Sequence, residues 1–335
     1  MANLTRDLFI GLSNNKLLNT NAKKWGFRLG AEKFVAGTNI ESVIEVVKEL
    51  NSKGISATLD NLGEFVADKS EAGMAKDEII QLLETIHNEN LDCHVSVKLT
   101  QLGLDIERDF CIENMKEILD RAYEYDIFIN IDMEKYLHYE KTLDVLHILR
   151  KQYTNVGTVI QSYLYRAEED LEKLKDVRIR LVKGAYKESE DVAYQSKEEI
   201  DRNFIVMAKD RLLGDTFTSI ATHDHNIINE LKQFIEENQI SKDKFEFQML
   251  YGFRTEMHDG LAEEGYNFCT YIPFGNDWFG YFMRRLAERP QNMNLVLKDT
   301  FYTKDNKLKK EPIIAGMLAI STVILLSKCN KKKKD

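Results

Sequence analysis

Eight short segments rich in β-branched residues, each followed by a turn and by enough chain for a helix, constrain the fold more than any other feature. They are Ile55–Leu59, Cys93–Leu99, Ile127–Met133, Gly157–Ser162, Val177–Val182, Thr218–Thr222, Phe245–Leu250 and Asn267–Ile272. Helical periodicity is clear outside them: Val43, Ile44, Val47 and Leu50 share one face of Glu41–Asn51, and Ile79, Ile80, Leu83 and Ile86 one face of Lys76–His87. Strands that alternate with helices run parallel, and eight such units favour a closed barrel over an open doubly wound sheet. No GxGxxG motif follows an early strand, which weakens a dinucleotide-binding sheet further. The expected fold class is α/β, a (β/α)8 TIM-type barrel with extra N-terminal helices.

In such a barrel the chemistry sits where the strands run out at their C-terminal rim. The residues expected there are Asp60, Lys98, Asp132, Gln161, Lys183, His223, Gln248 and Tyr271. One polar rim residue is ordinary solvation, but eight on one rim describe a site for a polar, charged ligand. The net charge of −9 and pI near 5.5 argue against a nucleic-acid partner, which calls for a basic surface. Cys93, Cys111, Cys269 and Cys329 lie far apart without metal-ligand spacing, so they read as reduced cytosolic thiols and no metal is expected. The N-terminal MANLTRDLFIGLSNN carries no secretory signal pattern.

Two motifs stand out. In RLVKGAY, Arg180–Tyr186, a strand ends in a Lys-Gly-Ala turn that suits either a phosphate or an ordinary strand-to-helix connection. In YIPFGNDWFGYFMRRLAERPQN, a strand is expected to end at Tyr271 and Ile272, Pro273 and Gly275 to make the turn, and a helix to continue until Pro290. That helix carries Arg284, Arg285 and Glu288, and the glutamate is within reach of either arginine. A bare RRxxE is more often a solvated salt-bridged face. Beside a barrel rim, paired guanidinium groups match a carboxylate and the glutamate can accept from an ammonium, which together make a receptor for a zwitterionic amino acid.

The segments VSVKLTQL, NIDME, RLVKGAY, ATHD, FQMLYG and YIPFG..W..Y..RRLAERPQN occur in an order that resembles the proline dehydrogenase family, from about Leu59 to Asn292. The resemblance implies a distorted barrel that holds FAD, oxidises L-proline to Δ1-pyrroline-5-carboxylate and passes electrons to a membrane quinone. It further implies that Arg284 and Arg285 bind the carboxylate with Glu288 near the ring, that Lys98 supports the substrate from below, and that Tyr271 packs on the proline ring. Asp132 would orient the basic groups, and Arg180 would lie near the flavin edge that receives the hydride. Met133, Gln161, Lys183, Gly184, Ala185, Thr222 and His223 would line the cofactor, and Glu64 would close the site over the first arginine. Another flavin-dependent cyclic-amine dehydrogenase, or a non-catalytic membrane-tethered barrel, are the alternatives.

The expected organisation is an N-terminal helical segment at 1–54, the barrel with its substrate-binding helix at 55–300, and a tail at 301–335. Within the tail, Ile313–Ser327 is uncharged and bracketed by lysines. As a helix it spans about 22 Å, short of a hydrocarbon core of about 30 Å, so it suits a surface anchor at the inner face of the cell membrane better than a span.

Overall fold

The computed structural model describes residues 31–63 and 66–288. Glu64 and the apolar tail lie outside the described residues, as does most of the expected N-terminal helical segment. The described chain falls into two compact units, Val35–Asn276 and a smaller one to which Ala31–Phe34 and Asp277–Glu288 belong.

In the larger unit eight parallel strands close into a barrel in sequence order. They are β1 (Ser56–Asn61), β2 (Cys93–Val97), β3 (Ile129–Ile131), β4 (Val156–Gln161), β5 (Ile179–Val182), β6 (Thr218–Ala221), β7 (Phe245–Leu250) and β8 (Phe268–Phe274). The ring is closed by β8 on β1, in register from Ser56↔Cys269 to Asn61↔Phe274. Helices follow the strands: α1 (Ile40–Asn51) precedes β1, and α2 (Lys69–Asn88), α3 (Arg108–Glu124), α4 (Tyr136–Leu149), α5 (Ala167–Lys173), α6 (Lys197–Leu213), α7 (His225–Glu237) and α8 (Thr255–Glu263) succeed β1 to β7. Among the described residues no helix is long and apolar enough to cross a membrane.

Local chemistry sets the helix starts. Asn39 caps α1 by accepting from the Ser42 N–H, and α2 begins at Lys69, seven residues before the expected Lys76, because Asp68 accepts from the Glu71 N–H at 3.0 Å. Ser196 caps α6: its Oγ accepts from the Glu199 N–H and its hydroxyl donates to Glu199 Oε2.

Alternation along the strands sorts two very different faces. Leu59, Val95, Val97, Ile129, Ile131, Phe247 and Ile272 are fully buried or nearly so and belong to one continuous apolar core with the helices. The alternate residues are polar, and they fill the lumen. Arg180 on β5 establishes this: it contacts side chains of β1, β2 and β7 and Asp132 just past β3, which a β5 residue reaches only through the interior. Barrel interiors of this kind are usually packed with branched apolar residues.

One expected boundary is corrected. Strand β8 does not stop at Ile272 but runs to Phe274 with Pro273 inside it. The β7 ladder ends at Leu250↔Tyr271, so beyond that point β8 is paired only on its β1 side, where a residue without an N–H is tolerated. The turn expected to include Pro273 therefore begins at Gly275, whose φ of +117° suits glycine.

In the smaller unit α9 (Trp278–Glu288) starts three residues after β8. Trp278, Tyr281, Phe282 and Met283 are buried, and Phe282 packs on Phe34 with ring centroids 5.9 Å apart.

His258 on α8 is 3% exposed, its Nε2 has no hydrogen-bond partner, and its ring lies 4.6 Å from that of Phe268. Burial lowers its pKa from 6.5 to about 4. The native state thus refuses a proton that the unfolded chain accepts, and the stability this site contributes is complete above pH 6.5 and declines as pH falls toward 4. His258→Leu is expected to remove up to about 3 kcal/mol of acid destabilisation across that window. Urea titrations at several pH values check this, and an unchanged pH slope in the variant would refute it.

Candidate active site

The C-terminal half of the lumen holds a charge-balanced cluster. Lys98 follows β2 and donates to Asp60 Oδ1 at 2.6 Å, with Asp132 Oδ2 3.8 Å away. Arg180 donates from Nη1 to Asp132 Oδ1 at 2.7 Å, from Nε to Gln248 Oε1 at 2.7 Å, and from Nη2 to Ser96 Oγ at 2.8 Å and Thr58 Oγ1 at 3.3 Å. Asn130 holds the same Asp132 oxygen from the other side at 3.1 Å. Two carboxylates face an ammonium and a guanidinium, so the formal charges of these four groups balance while each member is buried: Asp60 is 1% exposed and Arg180 4%.

Tyr271 joins the two halves. Its hydroxyl lies 2.7 Å from Asp60 Oδ2 and 2.8 Å from Asp132 Oδ2, and its ring lies 5.0 Å from the Arg180 guanidinium. One hydroxyl hydrogen therefore serves two carboxylates. Burial first, then the charges of Asp132 and Asp60, push the phenol well above its ordinary pKa, so it remains a donor. Tyr271 sits within β8 rather than at its end, and Gln248 within β7. Strand stagger puts these mid-strand positions level with the ends of β1 and β3.

The ends of β4 to β6 form a second cluster. Gln161 donates from Nε2 to the carbonyls of Met133 at 3.3 Å and Glu134 at 3.2 Å, and its buried Oε1 has no partner. Burial raises the Glu134 pKa against hydrogen bonds from Thr100. Gly184 has φ +111°, and a Cβ there would stand 2.4 Å from the Tyr163 ring, so only glycine fits. Ala185 next to it is exposed. Lys183 pairs with Asp201 and Asp224, and an anion arriving at it must share the lysine with those carboxylates. Thr222 Oγ1 accepts from the Asp224 N–H at 3.2 Å. His223 Nε2 accepts from the Leu250 N–H at 3.2 Å, so in the neutral ring the proton resides on Nδ1. An orphaned acceptor, a strained glycine turn and a lysine on adjacent strand ends can hold an extended polar cofactor.

Arg284 and Arg285 are neighbours on α9 in the smaller unit, both half-buried, with the Arg285 guanidinium 5.0 Å from the Tyr281 ring. Glu288 is the last residue of α9; its side chain, like Glu64, lies outside the described residues.

A family model described as proline dehydrogenase matches residues 43–297. The chain is 47% identical over 297 residues to Proline dehydrogenase 2 of Bacillus subtilis (strain 168), covering 88% of this chain and 98% of that protein. The chain belongs to the proline dehydrogenase family. Proline dehydrogenase of Deinococcus radiodurans is 41% identical over 283 residues, which cover 82% of this chain and 90% of its own length. Among solved structures, proline utilization A from Bdellovibrio bacteriovorus, inactivated by N-propargylglycine, matches with a TM-score of 0.75 at 24% identity, over 91% of this chain and 38% of that one. That likeness bears on the barrel fold, and the family model and sequence relatives bear on membership.

The structure brings together Lys98, Asp132, Arg180 and Tyr271 as one cluster with the expected rim residues Asp60 and Gln248, and adds Thr58, Ser96 and Asn130 to it. The signal for the additions was the recurrence of polar residues at every second position of the strands. Replacing Tyr271 by phenylalanine leaves the facing carboxylates without their shared donor. A loss of about 1–3 kcal/mol is expected from urea unfolding, the cost of unsatisfied buried acceptors. No change in the unfolding midpoint would mean that the bridging hydroxyl is not part of the native network.

Proposed function

We propose that this chain oxidises L-proline to Δ1-pyrroline-5-carboxylate, the first step of proline catabolism toward glutamate, with FAD as hydride acceptor and a membrane quinone as final acceptor. The observation that carries this reading is the neutral, buried Asp60–Lys98–Asp132–Arg180 cluster bridged by Tyr271, in a chain of this family. Proline itself is a zwitterion, and a site with no net charge and fixed dipoles suits both its ends without a large change in solvation.

The residues at the ends of β4 to β6 fit FAD. Gln161 Oε1 can accept from a ring N–H, Gly184 permits close approach of the backbone, and Lys183 can meet a phosphate. Met133, Ala185, Thr222 and His223 complete that lining. When bound, the flavin supplies the two-electron acceptor for the hydride that leaves proline C5.

The chain's own residues orient and stabilise. Arg284 and Arg285 clamp the carboxylate bidentately, Glu288 receives the ammonium side, and Glu64 closes over the first arginine. Lys98 and Asp60 form the floor, Tyr271 offers its ring face to the substrate ring, and Asp132 fixes Arg180. The Arg180 guanidinium would stabilise negative charge that develops on the acceptor.

The lysine-flanked apolar stretch Ile313–Ser327 docks the enzyme on the anionic inner membrane surface, where a quinone resides. Truncation after Pro312 is expected to move the protein to the soluble fraction, and equal membrane recovery would refute the anchor.

Arg284→Met and Arg285→Met are each expected to raise the KM for proline by about 10- to 100-fold, the equivalent of a charged hydrogen bond worth about 1.5–3 kcal/mol, while the flavin stays bound. Steady-state kinetics together with flavin content test this. Unchanged KM in both variants would contradict the carboxylate clamp.

A further inference from the structure

The opposite, N-terminal mouth of the barrel contains a cavity of about 340 Å³ whose walls include Asp92, His94, Arg178, Phe217 and Glu246. Beside it three donors from different strands approach one another: a ring nitrogen of His94 on β2 and a carboxylate oxygen of Glu246 on β7, both from residues that line the cavity, and the sulfur of the fully buried Cys269 on β8, all within 4.8 Å of one another. His94 is 9% exposed and lines the cavity, with its ring 5.9 Å from that of Phe128. Glu246 Oε1 takes the donors of Ser219 at 2.6 Å, Gln248 at 2.6 Å and Arg178 at 3.4 Å, which leaves Oε2 with lone pairs to offer.

Charge selects the kind of ligand. Asp92, Asp126 and Glu246 line the recess with one cation, Arg178, whose guanidinium is already held over the rings of Phe128 at 4.1 Å and Phe217 at 4.3 Å. The lining is therefore net negative, which suits a cation, while Arg180 in the lumen also acts on His94 and Cys269. The mixed nitrogen, oxygen and sulfur set narrows the cation to a borderline-soft one such as zinc, which takes three protein ligands with water in the fourth position.

We propose that His94, Glu246 and Cys269 form a zinc site at the N-terminal mouth of the barrel, with its fourth position open to water in the cavity. Binding forms a Zn–S bond as the Cys269 thiol proton leaves to solvent, so the ion is neutralised by one thiolate and one carboxylate. The donors must draw in by roughly 1 Å to reach zinc bonding distances. An ion bound only by the folded chain stabilises it, and this one would do so at the end of the barrel away from the reacting rim.

The test uses the untagged full-length protein, stripped by chelator and titrated with Zn²⁺ by calorimetry and with Co²⁺ by absorption. One equivalent of either metal is expected, with a sulfur-to-cobalt charge-transfer band and a melting temperature that rises with zinc. Cys269→Ser should abolish the band, His94→Gln should weaken zinc binding by more than roughly 100-fold, beyond the loss typical of an outer-shell partner, and Cys111→Ser should leave both unchanged. Wild-type protein that takes up no zinc, or a cobalt–sulfur band that survives Cys269→Ser, would overturn the site. The wild-type titration decides even if a variant fails to fold.

Discussion

A guanidinium buried in the middle of a barrel dictates much of what surrounds it. Removing a partner from a buried ion pair costs about 3–5 kcal/mol because the remaining charge is left without compensation. Arg180 meets that demand with Asp132, Gln248, Ser96 and Thr58, and each partner must lie on an inward position of its strand. The demand propagates. Asp132 needs Asn130 and Tyr271, Gln248 holds Glu246, and Asp60 needs Lys98 and Tyr271. The polar lumen is thus one connected network, and the apolar core lies outside the strands, between them and the helices.

Such a network does two things for a catalytic rim. It fixes side-chain positions before a ligand arrives, so little reorganisation is needed as charge shifts during reaction. It also keeps the phenol of Tyr271 protonated as the shared donor to two carboxylates. The ends of β4 and β5 are less finished: among the described residues Gln161 keeps an unused acceptor, and Gly184 has a conformation that an added Cβ would not permit.

The order and number of the strands were legible in the sequence because parallel βα units impose a regular alternation. Lys98, Asp132, Arg180 and Tyr271 were legible through motif and family resemblance. Thr58, Ser96, Glu246 and the part played by Asp60 were missed by reading each strand only at its end, although Ser56/Thr58/Asp60, His94/Ser96/Lys98 and Glu246/Gln248 display a period of two along their strands. The continuation of β8 through Pro273 was hidden because it depends on where the β7 ladder stops, a matter of register between chain segments. The convergence of His94, Glu246 and Cys269 was hidden for the same reason: no local spacing links residues that meet only when the barrel closes.

The central claim is that the buried charges act as one unit in proline oxidation. The measurement that bears on it most directly is the anaerobic rate at which L-proline bleaches the protein-bound flavin in wild type, Asp60→Asn, Lys98→Met and the double variant. Residues in one network should couple by about 0.5–3 kcal/mol, so the double variant should lose little more than the worse single one. Additive losses, or a wild-type flavin that L-proline does not bleach, would contradict the account.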